Sequence, residues 1–146
     1  MNIKRAVLLF ISSFFIFLSV SCSSETEYKF IEIVPHTIYE FSFPESKDVE
    51  LTPRMVAFLD VLIVEIQNNI EYNLVILGHS DGNGTDEVNS KKAKQRAENA
   101  LSYLKSKGLN PDRVKVINKS DSEPITSNPD KNSQALNRRV GFKLTY

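Results

Sequence analysis

The chain contains no tryptophan, one cysteine and two histidines in 146 residues, and these shortages exclude several classes of protein. The single cysteine, Cys22, cannot form a disulfide bond within the chain. One cysteine and two histidines are also too few for the clusters that bind zinc or iron. The sequence therefore predicts a protein without an intrachain disulfide, a metal or a cofactor.

An excess of charge of one sign is also lacking, because 18 basic residues balance 18 acidic ones. Nucleic acids and anionic membrane surfaces attract strongly basic proteins. The composition gives no reason to expect either of these partners.

An apolar run long enough to span a membrane is lacking as well. The run at residues 6–20, broken only by serines, has about 15 residues, whereas a spanning helix needs about 20. Lys4 and Arg5 precede it, which is the layout of a secretory signal. We therefore predict that residues 1–21 form a signal peptide that is absent from the mature protein.

Cys22 follows Leu18-Ser19-Val20-Ser21, a segment similar to the lipobox of bacterial lipoproteins, although leucine stands four residues before the cysteine instead of three. We expect Cys22 to carry acyl chains such as palmitate, because two or more chains anchor a protein stably in a membrane. Residues 22–36 would then be the lipidated cysteine and a tether, in which residues 23–35 reach at most about 45 Å at about 3.3 to 3.6 Å per residue. The alternative is an ordinary signal peptide followed by a free thiol.

The remaining residues, 37–146, predict one domain in which helical and strand patterns alternate. Thr52-Pro53 is a typical helix start, and Gly108 a typical helix end. The predicted elements are a strand at 37–43, a helix at 53–68, a strand at 72–77, a helix at 86–107, a strand at 113–116, a polar loop with Pro124 and Pro129, and a strand at 140–144. This order indicates an α/β two-layer sandwich with the helices on one face of a mixed sheet.

A polar segment after the apolar strand carries most of the functional information. The strand delivers Asp81 to its carboxyl end, and Arg96 follows on the next helix. Asn89 and Arg96 are seven residues apart, so they share one helix face within about 20°. An anion and a cation that face one crevice suit a ligand with both an ammonium and a carboxylate. Asp81 could instead be a turn residue before Gly82, and Arg96 a solvated helix residue.

The motifs resemble the OmpA-like peptidoglycan-binding domain, which is shared by outer-membrane OmpA proteins, peptidoglycan-associated lipoproteins and flagellar-motor stators. They are Gly78-His79-Ser80-Asp81-Gly82-Asn83-Gly84, Asn89, Arg96-Ala97, Tyr103-Leu104, Lys107-Gly108-Leu109, Pro124 with Asn128, and Asn137-Arg138-Arg139-Val140. The resemblance covers residues 37–146 and implies a βαβαββ fold of the α+β type with four strands. It also implies binding of the diamino acid of peptidoglycan stem peptides, in which Asp81 takes the ammonium and Arg96 the carboxylate.

The resemblance gives the neighbouring polar residues supporting roles. Ser80 and Asn89 would assist at the ligand, while Asn137, Arg138 and Arg139 are structural or secondary. We expect Arg139 in particular to pair with an acidic side chain.

Departures from the family pattern leave the identity of the diamino acid open among diaminopimelate, ornithine and lysine. Pro44 stands where the family often has aspartate, and Asn118-Lys119-Ser120-Asp121 replaces a loop that often reads Gly-x-Gly-Glu. Ser133-Gln134 replaces a Gly-Arg pair. The Asp81 and Arg96 pair is unaffected by these changes.

The segment that begins at Gly78 also fits one catalytic motif and one metal-binding motif, but the rest of the sequence argues against both. Residues 78–82 read Gly-x-Ser-x-Gly, a nucleophile elbow, yet the triad needs a later histidine and both His36 and His79 come earlier. A calcium loop starting at Asp81 would need glycine and glutamate where Asp86 and Lys92 stand.

We therefore predict a non-enzymatic lipoprotein of the outer membrane whose domain faces the periplasm and tethers the membrane to the cell wall. One alternative is an interaction module that has kept the fold and lost wall binding. A wall-processing hydrolase is a further alternative.

Overall fold

The computed structural model describes residues 33–45, 47–127 and 130–146. The predicted signal peptide, the predicted lipid attachment at Cys22 and residues 22–32 of the predicted tether lie outside the described residues, as do Asn128 and Pro129. Across the described ranges, no helix combines the length and hydropathy needed to cross a membrane.

The described chain forms four strands, three helices and one 3-10 turn. They are β1 (Ile38–Ser42), α1 (Pro53–Asn68), β2 (Asn73–His79), α2 (Asp86–Ser106), the 3-10 turn (Pro111–Arg113), β3 (Val114–Ser120), α3 (Lys131–Asn137) and β4 (Arg139–Thr145). This order confirms the predicted alternation of strands and helices. The prediction of an uninterrupted polar loop before the last strand was wrong, because α3 forms there. Its start is capped by Asp130, whose side chain accepts a hydrogen bond from the Ser133 backbone N–H at 2.9 Å.

The strands form one mixed sheet in the order β1-β4-β2-β3. The pair β2–β3 is parallel, whereas β4 runs antiparallel to both β1 and β2. The predicted mixed four-stranded sheet is confirmed. Because β1, β2 and β3 point the same way, their carboxyl ends and the start of β4 meet at one edge of the sheet. This edge carries the candidate site.

Helix α1 buries the apolar stripe that its sequence period predicts. Thr52 Oγ1 accepts a hydrogen bond from the Met55 backbone N–H at 3.3 Å, and Pro53 occupies the first turn. The stripe belongs to the hydrophobic core, in which Phe58 contacts Phe41 of β1 and Phe142 of β4. Each fully buried large apolar side chain contributes about 1.5 to 3 kcal/mol. The buried residues of the stripe are Met55, Phe58, Leu59, Leu62, Ile63 and Ile66.

Helix α2 packs much closer to the sheet than α1 does, through small residues. A Cβ atom at Gly78 would lie 2.1 Å from the backbone oxygen of Ala93 and 3.3 Å from the Cβ of Ala97. Only glycine fits at this position, so α2 is held directly against the last residues of β2. This contact fixes the distance between the end of β2 and the side chains of α2.

Candidate functional site

A tight turn follows β2 at the edge where the strands end. The backbone N–H of Ser80 donates to the carbonyl of Ser120 at 2.7 Å, which extends the pairing of β2 with β3 by one residue. Asp81 then starts the turn, and its Oδ1 accepts from the backbone N–H of Asn83 at 3.2 Å. Gly82 and Gly84 have φ values of 70° and 131°, which favour glycine. The predicted position of Asp81 at the carboxyl end of an apolar strand is confirmed.

Asp81 forms a buried ion pair with Arg138. The distance from Arg138 Nη1 to Asp81 Oδ2 is 2.7 Å, and the two side chains are 6% and 1% exposed. Arg138 also donates from Nε to the carbonyl of Phe43 at 3.1 Å and from Nη2 to the carbonyl of Pro44. One guanidinium therefore joins the turn after β2 to the segment after β1 and to the start of β4.

Arg96 lies beneath the same turn and is completely buried. It donates from Nη1 to the carbonyl of His79 and from Nε to the carbonyl of Asp48, both at 3.0 Å. Its guanidinium carbon lies 4.9 Å from the centre of the Phe43 ring. Burial lowers the pKa of Arg96 to about 10, opposed by the attraction of Asp81. The predicted contact of Arg96 with the strand ends is confirmed, whereas contact with a ligand carboxylate stays a prediction.

Three further polar side chains at or near this edge are buried. Asn89, on the same face of α2 as Arg96, is 1% exposed, and His79 and Ser80 are 1% and 2% exposed. Within the described residues, Ser80 Oγ, the Asn89 amide and both His79 ring nitrogens have no hydrogen-bond partner. Most buried polar groups in proteins are hydrogen-bonded. Such groups are therefore suited to bind a polar ligand or ordered water.

His79 is held in its neutral form. Burial lowers its pKa to about 4, and the positive charge of Arg139 acts in the same direction. Arg139 itself pairs through Nε with Glu40 Oε1 at 2.7 Å and donates to the carbonyl of Glu123 at 3.1 Å. The prediction that Arg139 pairs with an acidic side chain is confirmed. Sequence reasoning did not anticipate that Arg138 pairs with Asp81.

A cleft of about 360 Å³ opens above the turn. One wall is the segment before α3, which Asn137 holds by accepting from the backbone N–H of Ile125 at 2.7 Å and donating to the carbonyl of Thr126 at 2.8 Å. The cleft is lined by Ser80, Asp81, Gly82, Asn83, Asp121, Pro124, Thr126, Ser127, Gln134 and Asn137. Arg96 and Asn89 lie outside this lining.

Asp121 is a lining residue that sequence reasoning missed. Asp121 is the first residue after β3, and Asp81 is the second residue after β2. Because β2 and β3 are parallel neighbours, both acidic residues arrive at the same edge. The sequence signal that could have found Asp121 is this shared position after two adjacent parallel strands.

The arrangement is suited to binding a cation or a hydrogen-bonding group. Among the described residues, no group of three histidine, cysteine, aspartate or glutamate side chains is placed to hold a metal ion. The hydroxyl of Ser80 contacts no base within the same residues. The chemistry offered at the cleft is therefore that of carboxylates, amides and backbone groups.

The family model described as the OmpA family matches residues 45–138. This chain belongs to the OmpA family. The match includes the turn at Asp81, helix α2 and the residues up to Arg138, so the family resemblance found in the sequence is confirmed.

Curated relatives and solved structures agree with this assignment. The chain is 29% identical over 107 residues to the peptidoglycan-associated lipoprotein of Pseudomonas aeruginosa, covering 73% of this chain and 61% of that protein. It is 35% identical over 71 residues to outer membrane protein A of Bordetella avium, covering 49% of this chain and 37% of that protein. The chain thus spans less than two thirds of each of these relatives.

Two solved structures have similar architectures. The peptidoglycan-associated lipoprotein of Burkholderia pseudomallei aligns with a TM-score of 0.69 at 21% identity, covering 73% of this chain and 89% of that one. The cell wall anchor of the T6SS from Pseudomonas aeruginosa aligns with a TM-score of 0.59 at 21% identity, covering 72% and 78%. These likenesses confirm the predicted α+β fold.

Proposed function

We propose that this protein is a non-catalytic envelope lipoprotein that binds the diamino acid of peptidoglycan stem peptides and tethers the outer membrane to the cell wall. Membership of the OmpA family supports this proposal, as do the names of its relatives, a peptidoglycan-associated lipoprotein among them. The observation that carries it is the position of Asp81. This carboxylate lies at the end of β2, beside the cleft, between Arg138 and the turn.

Asp81 is proposed to hold the ammonium of the diamino acid. Its two oxygens already accept from Arg138 and from the backbone of Asn83. A carboxylate has about four lone-pair sites, so it can accept further hydrogen bonds without losing these two. Ser80 and Asn89 are proposed to assist, since their buried polar atoms have no other partner among the described residues.

Arg96 is proposed to act first as a positioning residue. Its hydrogen bond to the carbonyl of His79 supports the backbone immediately before Ser80 and Asp81. A direct bond from Arg96 to a ligand carboxylate, the role that the family implies, would require the backbone around Asp48 or His79 to uncover the guanidinium.

One such site is expected to bind only moderately, because a hydrogen bond to a charged group contributes about 1.5 to 3 kcal/mol. Attachment to a membrane would compensate for this. Cys22 is proposed to carry the lipid, which places many copies on one surface opposite a polymeric wall. Avidity can then exceed the affinity of a single site by about 100-fold or more.

Co-sedimentation with purified cell-wall sacculi tests the wall-binding proposal. The full-length chain in detergent should pellet with sacculi, and Asp81→Asn should lower its affinity by about 10-fold or more, which corresponds to one lost charge-assisted bond. Glu98→Gln is the matched control, because Glu98 is an exposed carboxylate on α2 that pairs only with Lys94 in the described chain. Equal pelleting of the wild type and folded Asp81→Asn would refute the assignment of the site.

Two further measurements address the alternatives. If the wild type binds no sacculus, the chain is better explained as a protein-interaction module with the same fold. Incubation with muropeptides, followed by mass spectrometry, should give no new fragments; turnover that Ser80→Ala abolishes would support a hydrolase instead.

The membrane anchor has its own test. Cys22→Ser should move the chain from the membrane fraction to the soluble fraction of cells. Retention of that variant in the outer membrane would contradict the proposed lipid attachment.

A further inference from the structure

The edge of the sheet opposite the cleft exposes large apolar side chains. This edge is formed by the starts of β1, β2 and β3 and by the end of β4. In the described part of the chain, the two most exposed large apolar residues both lie there. Ile70 is 88% exposed in the turn before β2, and Tyr146 is 67% exposed directly after β4. Exposed apolar surface that is gathered in one place often marks an interaction site.

Aromatic contacts order this surface. Asn73 of β2 is paired with Thr145 of β4, so the next residues outward, Tyr72 and Tyr146, lie side by side with ring centroids 5.4 Å apart. The ring of His36 packs edge-on against Tyr146 at 5.1 Å. Val34, which is also exposed, lies in the same segment before β1. We call this surface the basal patch; its members are Val34, His36, Ile70, Tyr72 and Tyr146.

The tether joins the domain at the basal patch. Ile33, the residue before Val34, is buried in the hydrophobic core, so the domain is fixed to its tether at this edge. Ten residues separate Cys22 from Ile33 in the sequence. They span at most about 33 to 36 Å. A short flexible linker gives an effective concentration in the millimolar range, so a weak attraction of the patch for the bilayer is sufficient.

The charges around the basal patch do not favour an anionic surface. Glu71 and Asp112 are exposed in the turns before β2 and β3. Arg113 is engaged within the domain, donating from Nε to the carbonyl of Tyr72 at 2.9 Å and from Nη2 to the carbonyl of Asn69 at 2.6 Å. The chemistry of the patch therefore fits the interface of a bilayer with zwitterionic headgroups, which it contacts through apolar and aromatic groups.

We propose that the basal patch lies on the phospholipid bilayer that carries the lipid anchor, with Ile70 and Tyr146 inserted among the headgroups. The inference rests on the proposed lipid attachment at Cys22. Tyrosine is enriched at membrane interfaces, because its ring is apolar and its hydroxyl group stays hydrated. The cleft then faces away from the membrane, toward the wall. The seven residues of β2 place it about 23 Å farther out, at about 3.3 Å per residue.

Introduced tryptophans can test this contact, because the chain has none of its own. The full-length lipidated chain is placed in vesicles of phosphatidylcholine and phosphatidylethanolamine, with or without bromine on the acyl chains near the headgroups. Ile70→Trp should emit at shorter wavelength and lose emission in the brominated vesicles. Ile125→Trp is the matched control, because Ile125 is also an exposed aliphatic residue but lies between two residues that line the cleft. Its emission should not respond to bromine.

A second substitution tests the neighbouring ring. In the Ile70→Trp background, Tyr146→Asp should reduce the loss of emission, since a charged carboxylate resists transfer out of water. Leu136→Asp is the control in the same background, because Leu136 is an exposed apolar residue of α3, and it should leave the loss unchanged. Raising the salt concentration from about 0.1 M to about 1 M shortens the screening length from about 10 Å to about 3 Å and should not restore the emission.

The outcomes separate this inference from the proposed function. Equal quenching of Ile70→Trp and Ile125→Trp in chains that float with the vesicles would overturn the inference and leave lipid attachment and wall binding standing. A shift in emission that grows with the amount of protein per vesicle, without quenching by brominated lipid, would show that a second copy covers the patch. Recovery of emission at high salt would overturn the apolar contact. Chains that do not float with the vesicles would overturn lipid attachment and this inference together.

Discussion

The ion pair between Asp81 and Arg138 makes the candidate site a structural element of the domain, in addition to its proposed role in binding. Asp81→Asn keeps the shape of the side chain and leaves Arg138 buried without its anion, close enough to Arg96 for the two cations to repel each other. Removal of one partner of a buried ion pair typically costs about 3 to 5 kcal/mol. Domains of this kind have a free energy of unfolding of about 5 to 15 kcal/mol. We therefore expect the variant to fold with a melting temperature about 10 to 20 °C lower.

Urea unfolding followed by far-ultraviolet circular dichroism suits this prediction, because the chain has no tryptophan to report by fluorescence. The double variant Asp81→Asn with Arg138→Gln should lose less stability than the sum of the two single variants, by about 0.5 to 3 kcal/mol. A loss below about 1 kcal/mol, or strict additivity, would show that water screens the pair and would refute this reasoning. The same curves show whether each variant is folded under the conditions in which binding is compared.

Three further predictions concern side chains around the site. The pKa of His79 is about 4 in the folded state and about 6.5 when unfolded, so the free energy of unfolding should fall by about 3 kcal/mol as the pH drops from 6.5 to 4. In His79→Phe, the urea midpoint should depend less on pH over this range. Gly78→Ala should cost about 3 kcal/mol or more in the same assay, because its Cβ would lie 2.1 Å from the oxygen of Ala93; a loss below 1 kcal/mol would contradict that packing. The Asn137 side chain hydrogen-bonds to the backbone of residues 125–126, so Asn137→Ala should speed amide hydrogen exchange there. Unchanged exchange would show that Asn137 does not hold this segment in place.

Local patterns predicted most of the fold. The apolar period of α1 and its Thr52-Pro53 start act within a few residues of one another, so they can be read from the sequence alone. The seven-residue interval between Asn89 and Arg96 is likewise a property of one helix, and both side chains lie on its buried face. Interactions within one element are visible in a sequence because its geometry fixes the spacing.

Contacts between distant segments were not predictable in the same way. Arg138 and Asp81 are 57 residues apart. Arg138 directly precedes β4 and Arg139 begins it, so the choice between them depends on the side of the sheet that each side chain takes. A shift of one residue in register exchanges these faces. Helix α3 was missed for a different reason: its seven residues are too few to show a helical period between two polar stretches.

The direction of β1 has a mechanical consequence under the proposed function, in which the protein connects a membrane to a wall. The chain enters β1 at Ile38, whereas the cleft lies beyond Ser42, at the other end of the strand. A force between the two attachment points would run along β1 and cross to β4 through five paired residues. Hydrogen bonds between antiparallel strands are perpendicular to them, so this load acts in shear and stretches all of these bonds together. A force that peeled β1 away from β4 would break these hydrogen bonds one after another. The topology avoids that direction of loading.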